Sequence, residues 1–264
     1  MHACRWLLLV LLVLTVGGCA SPPFAALPAP VRLYAMPVGP DERDDDRFIT
    51  AHAQAVVHGR RALTVAHAFQ GTLYGPRATS ITLPEGPMPV VVAGMGAHPD
   101  VQQPEDGIEV TQQELNNSVQ DWLAFEAERP LDHPTGVRWR ISANEPAFGE
   151  LLHAVRYKGR GRGFQRVPFR RENAGFRGMD TPEGLYFARR TGAIDMRGWS
   201  GSFVGRRVGD AWELVGILVG SFDVDGDERN GREVAIIIRP PEAALRWLLG
   251  EDVALPGALP GADP

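Results

Sequence analysis

Residues 198–203 read Gly198-Trp199-Ser200-Gly201-Ser202-Phe203, GWSGSF, and no other segment of the chain narrows the choice of fold as far. Its small residues make a tight turn, and Phe203 opens an apolar run, so a serine hydroxyl stands at the head of a strand. An α/β-hydrolase elbow also presents serine in this way, but it needs G-x-S-x-G with a histidine later in the chain. Position 202 is serine, and all seven histidines (2, 52, 58, 67, 98, 133 and 153) precede Ser200. The order that remains is histidine, then aspartate, then serine.

Working outward, His67 closes the strand-like stretch Ala62 to Phe69, ALTVAHAF, and Asp121 opens Asp121 to Phe125, DWLAF, at the start of another apolar run. Asp106 and Asp132 are rival carboxylates. These three segments resemble the LTAAHC, DIALL and GDSGGP segments of chymotrypsin-fold serine proteases. Leu214 to Ser221, LVGILVGS, is similar to the strand that follows the nucleophile in that family and lines its substrate groove. The resemblance covers about residues 47–250. It implies an all-β fold of two six-stranded antiparallel β-barrels, about 47–135 and 136–240, with a short helix at 241–249.

For the site, the resemblance implies Ser200 as nucleophile, His67 as base and then acid, and Asp121 as the carboxylate that orients the imidazole. The backbone N–H groups of Gly198 and Ser200 would form the oxyanion hole, and the reaction needs no cofactor. Ile194 falls at the base of the specificity pocket, with Val219, Gly220 and Ser221 along its wall. An apolar base disfavours basic side chains, whereas a shift of one residue puts Asp195 there and reverses the preference. The family's aspartate before the nucleophile is Trp199 here, so the ion pair it makes with a freed N-terminus cannot form. A constitutive fold with the indole packed in that place is the expectation. The expected activity is peptide-bond hydrolysis; the alternative is an inactive homologue that binds a peptide or protein partner in the same cleft.

The rest of the chain agrees with turn-rich β structure. Glycine and proline number 30 and 22, too many for a helical bundle and too few for low-complexity disorder, and a hydrophobic share of 44% fills a sizeable core. Short apolar segments between turn signals predict strands at 51–57, 62–65, 78–83, 88–94, 107–110 and 120–126. A second series falls at 149–157, 163–169, 185–190, 202–206, 212–219 and 233–239. A helix is predicted at 241–249, PEAALRWLL, opened by proline and ended by Gly250.

Both cysteines, Cys4 and Cys19, lie at the N-terminus, so no disulfide staples the body. Residues 1–18 hold one charge, Arg5, and an apolar run from Trp6 to Val16 that is shorter than the ~20 residues of a membrane-spanning helix. The run ends in Val16-Gly17-Gly18-Cys19, which resembles the lipobox of bacterial lipoprotein signals. That resemblance implies a cleaved signal peptide, acylated Cys19, and a membrane tether with a spacer over 19–46. Ala20 and Ser21 after the cysteine resemble the pattern sorted to the outer membrane, facing the periplasm. Residues 251–264 read as a flexible tail.

The net charge of −5 argues against nucleic acid as a partner, leaving a peptide or protein substrate and the lipid-anchored membrane. Asp223, Asp225 and Asp227 begin a calcium-loop pattern, but Glu228 stands where glycine is needed and Val234 where the bidentate acid belongs, so a solvated hairpin is expected. His52 and His58 share a strand face without a third ligand, and no metal site is expected. The arginines at 160, 162, 166, 170 and 171 predict an exposed basic hairpin.

Overall fold

The computed structural model describes residues 31–34, 52–69, 79–83, 86–96, 112–131, 139–157, 164–172, 180–190, 196, 198–223 and 233–257. Six strands make the first sheet: β1 (Val31–Tyr34), β2 (His52–His58), β3 (Arg61–Thr64), β4 (Thr79–Leu83), β5 (Gly86–Met95) and β6 (Leu123–Ala127). Their order is β1-β2-β3-β6-β5-β4 with every neighbour antiparallel, and β1 approaches β4 to close the barrel. Strand alternation sends Ala53, Ala55, Val57, Ala62 and Phe125 into this barrel, while Val56, Leu63 and Ala124 face the second half of the molecule. Both faces of β2, β3 and β6 are buried, which explains why their sequences are almost wholly apolar.

The second sheet holds β7 (Trp139–Ile141), β8 (Leu151–Tyr157), β9 (Phe164–Arg171), β10 (Leu185–Arg190), β11 (Phe203–Val208), β12 (Ala211–Asp223) and β13 (Glu233–Ile238). Its order is β11-β8-β9-β10-β13-β12-β7, and a further β11–β12 pairing closes six of these strands into a barrel. The long β12 serves both neighbours, pairing β11 with its first half and β13 with its second. Leu152, Ala154, Val167, Phe169, Tyr186 and Val215 fill the interior. Outside it, β7 runs parallel to the start of β12.

A shared core joins the halves. Val56, Leu63, Val65 and Trp122 meet Phe203, Trp212, Leu214 and Ile217, and Ala244, Leu245, Trp247 and Leu248 of the C-terminal helix pack on the same cluster. The architecture is the expected all-β pair of barrels, with corrections. Residues 31–34, read as spacer, form β1, a four-residue strand behind a Pro- and Ala-rich stretch, and the three-residue β7 stands where no strand is predicted. A short helix, α1 (Gln112–Ser118), precedes Asp121, so the strand expected from 120 begins at Leu123. The C-terminal helix, α2, spans Glu242–Leu248. The first part of the predicted tail is docked: Leu255 packs on the shared core and the Pro256 carbonyl accepts from Met95 N–H at 3.0 Å. The strand expected at 107–110 and residues 1–30, with Cys4 and Cys19, lie outside the described residues.

Candidate active site

β3 ends at Thr64, and the chain passes through Val65 and Ala66 into a 3-10 turn at His67–Phe69. Asp121 follows α1, whose end it closes by donating its N–H to the Ser118 carbonyl at 3.1 Å. Its carboxylate, only 4% exposed, meets His67 twice. Oδ1 accepts from the His67 backbone N–H at 2.8 Å, and Oδ2 lies 2.5 Å from His67 Nδ1. An ionised carboxylate can only accept, so a neutral ring held here carries its proton on Nδ1 and its lone pair on Nε2. Asp106 and Asp132 lie outside the described residues.

The serine turn belongs to the second barrel but is clamped by the first. Gly198 and Gly201 adopt φ of +74° and +78°, the left-handed region that glycine enters without strain. Within the turn, Trp199 N–H donates to Met196 O at 3.2 Å and Ser202 N–H to Trp199 O at 2.9 Å; Gly201 N–H donates to Leu218 O on β12 at 2.7 Å. From β2, Gln54 N–H donates to the Ser200 carbonyl at 2.7 Å, and Gln54 Nε2 to the Gly198 carbonyl at 3.4 Å. The Gln54 carbonyl in turn accepts from Thr64 Oγ1 at 2.6 Å. A Cβ on residue 201 would collide with that carbonyl and with the Thr64 hydroxyl. The serine turn therefore sits on β2 and the end of β3, and Thr64 lies three residues before His67. Nothing in the sequence marks Gln54 or Thr64, since each is one polar residue within an apolar strand.

Ser200 is partly exposed, and among the described residues its Oγ makes no hydrogen bond, to His67 or otherwise. Free active sites often hold this contact long and shorten it only with substrate bound. The N–H groups of Gly198 and Ser200 likewise have no acceptor among the described residues. Trp199 is fully buried in the second barrel's core, where the Arg156 guanidinium lies 4.6 Å from its ring centroid. Val219 is buried, Ser221 is partly exposed, and the space a Cβ would occupy at Gly220 is open to 4 Å. Ile194 and Asp195 lie outside the described residues.

Other sequence features stay apart from this site. Asp225 and Asp227, and the side chains of His52 and Asp223, are outside the described residues. Among those described, no three His, Cys, Asp or Glu side chains gather as a metal site would. Arg166 and Arg170 are exposed as expected, while Arg160 and Arg162 are not described. Arg171 departs from the expectation of an exposed hairpin: it is half-buried, lies over the Tyr186 ring at 5.0 Å and donates to the Glu172 carbonyl.

No family model and no curated protein sequence matches the chain. Among solved structures, it is similar to the active form of the Rv3671c protease from M. tuberculosis at 14% identity and a TM-score of 0.50, covering 88% of this chain and 86% of that one. It also aligns with the HtrA-type protease AlgW with a decapeptide (19% identity, TM-score 0.47, 85% of this chain and 64% of that one). A third match is kallikrein-related peptidase 10 in complex with Zn2+ (14% identity, TM-score 0.48, 82% and 92%). With two closed barrels, a shared seam core and the M. tuberculosis protease as a match along most of both chains, the chain has the chymotrypsin-like fold of the trypsin-like serine proteases.

Proposed function

We propose that this protein is a serine endopeptidase with His67, Asp121 and Ser200 as its triad. Ser200 Oγ attacks the scissile carbonyl carbon while His67 Nε2 takes its proton, and the Asp121 carboxylate steadies the resulting imidazolium. The oxyanion accepts from Gly198 and Ser200 N–H. Collapse of the tetrahedral species breaks the C–N bond, and His67 hands its proton to the departing amine. A water molecule, deprotonated by the same imidazole, then attacks the acyl ester and restores Ser200 with release of the acid. The absent side chain at Gly220 leaves room for bulky residues of an extended peptide beside β12.

The observation that carries this reading is the buried His67–Asp121 pair, at 2.5 Å between Nδ1 and Oδ2, beside a serine turn held on β2 and the end of β3, the strand that leads into His67. A second reading, a silent homologue that binds a peptide in the cleft, draws on the missing Ser200–His67 hydrogen bond. Hydrolysis of an internally quenched peptide library separates the two. The folded wild type is expected to cleave, with Ser200→Ala and His67→Ala slowed about 10⁴-fold or more. Cleavage retained by Ser200→Ala overturns the nucleophile, and a folded wild type that binds the peptides without cleaving them favours the second reading.

A further inference from the structure

A peptide unit in a turn is fixed when its carbonyl or its N–H is committed to a partner, because the trans amide directs the two groups oppositely. Around Ser200 three consecutive carbonyls are committed. Trp199 O accepts from Ser202 N–H, which directs the Ser200 N–H away on the other side of that peptide. Ser200 O and Gly198 O both accept from one residue, Gln54, through its backbone N–H and its side-chain amide. The N–H groups left without acceptors among the described residues are those assigned to the oxyanion.

Gln54 is costly where it stands. It is 2% exposed on a strand whose neighbours are Ala53, Ala55, Val56 and Val57, and a buried amide is tolerated only where its polar groups are used. Its own carbonyl is tied to Thr64 Oγ1 at 2.6 Å, so its backbone is anchored on β3 before the side chain reaches across the seam. The residue it grips is a glycine at φ +74°, one of two glycines that give the turn its torsional freedom. The residue before Ser200, which could have anchored the turn by an ion pair, is the buried Trp199.

We propose that Gln54 is a positioning residue: its side-chain amide, donated from the first barrel to the Gly198 carbonyl, holds the oxyanion turn in shape where residue 199 offers no charge. The role rests on the endopeptidase reading above. In this role Gln54 acts through Gly198 and Ser200 rather than on the substrate.

The test uses the purified full chain with two probes, a fluorophosphonate and p-nitrophenyl acetate, on wild type, Gln54→Met and Gln54→Asn. Methionine keeps the volume and the backbone N–H but removes the amide. Gln54→Met is expected to slow phosphonylation about 10- to 100-fold, and to lower kcat for the ester with KM unchanged, while a cooperative melt is retained. A rate within twofold of wild type, or a loss confined to KM, overturns the proposal. If Gln54→Met does not fold, Gln54→Asn decides, since its amide is one methylene too short to reach Gly198; a wild-type rate there also overturns it. An unreactive wild type refutes the endopeptidase reading itself, whereas a reactive wild type with an unaffected Gln54→Met refutes only the role of Gln54.

Discussion

At Gly198 one residue carries a φ of +74° and, in the proposed mechanism, a backbone N–H for the oxyanion. An alanine there meets the Cβ penalty of the left-handed region, about 1–2 kcal/mol, and the turn relieves it by rotating the peptide. Gly198→Ala is therefore expected to lose about 1 kcal/mol of stability in urea unfolding and to lose fluorophosphonate reactivity by a much larger factor, about 10²-fold. Equal, small losses in both would show that this N–H takes no part. The His67–Asp121 pair and the serine turn ahead of an apolar strand are legible in the sequence because each sits beside a strand end with informative neighbours. Gln54 is not, because the carbonyl its side chain donates to lies 144 positions away and belongs to the backbone.

Among the elements, β2, β3 and β6 bury both faces and announce themselves as apolar runs, although β6 begins at Leu123 rather than at 120, and β4, β5 and β8 to β13 fall close to where turn-bounded segments place them. The pieces that escape, β1, β7 and α1, are short or polar and are fixed by partners distant in sequence. Where β7 meets β12, Glu213 accepts from Arg140 and Arg206, and Arg206 also bonds Glu150. Burial works to raise the Glu213 carboxyl, but those two guanidinium groups outweigh it and hold it below the usual carboxylate range.

On β8, His153 has a buried Nδ1 without a partner among the described residues and lies edge-on to Trp212 at 5.5 Å. Burial, with a smaller contribution from Arg166, pushes its pKa from 6.5 down to about 4. Between those values the unfolded chain binds a proton that the folded one refuses, so His153 removes stability as pH falls from 6.5 towards 4. Replacement by glutamine is expected to flatten the denaturation midpoint across this window, leaving the Glu213 contribution to be lost at lower pH. An unchanged pH slope in His153→Gln would contradict this assignment.

For the whole molecule, the site exists only because the two barrels share a core. His67 and Asp121 come from one half and Ser200 from the other, and Trp122, Trp212 and Ile217 bury the seam between them together with α2. Each barrel alone would expose this apolar face to water, so the halves hold each other, and with them the proposed triad, in register. The proposed order of histidine, aspartate and serine is read in one dimension, but the docking of the serine turn on β2 is not, because it depends on backbone groups that every residue carries. The central claim is that this seam assembles a reactive Ser200. Mass spectrometry after treatment with a fluorophosphonate tests it most directly: one adduct is predicted, mapped to Ser200 and absent from His67→Ala. An adduct on any other serine, or equal labelling of Ser200→Ala, would contradict the account.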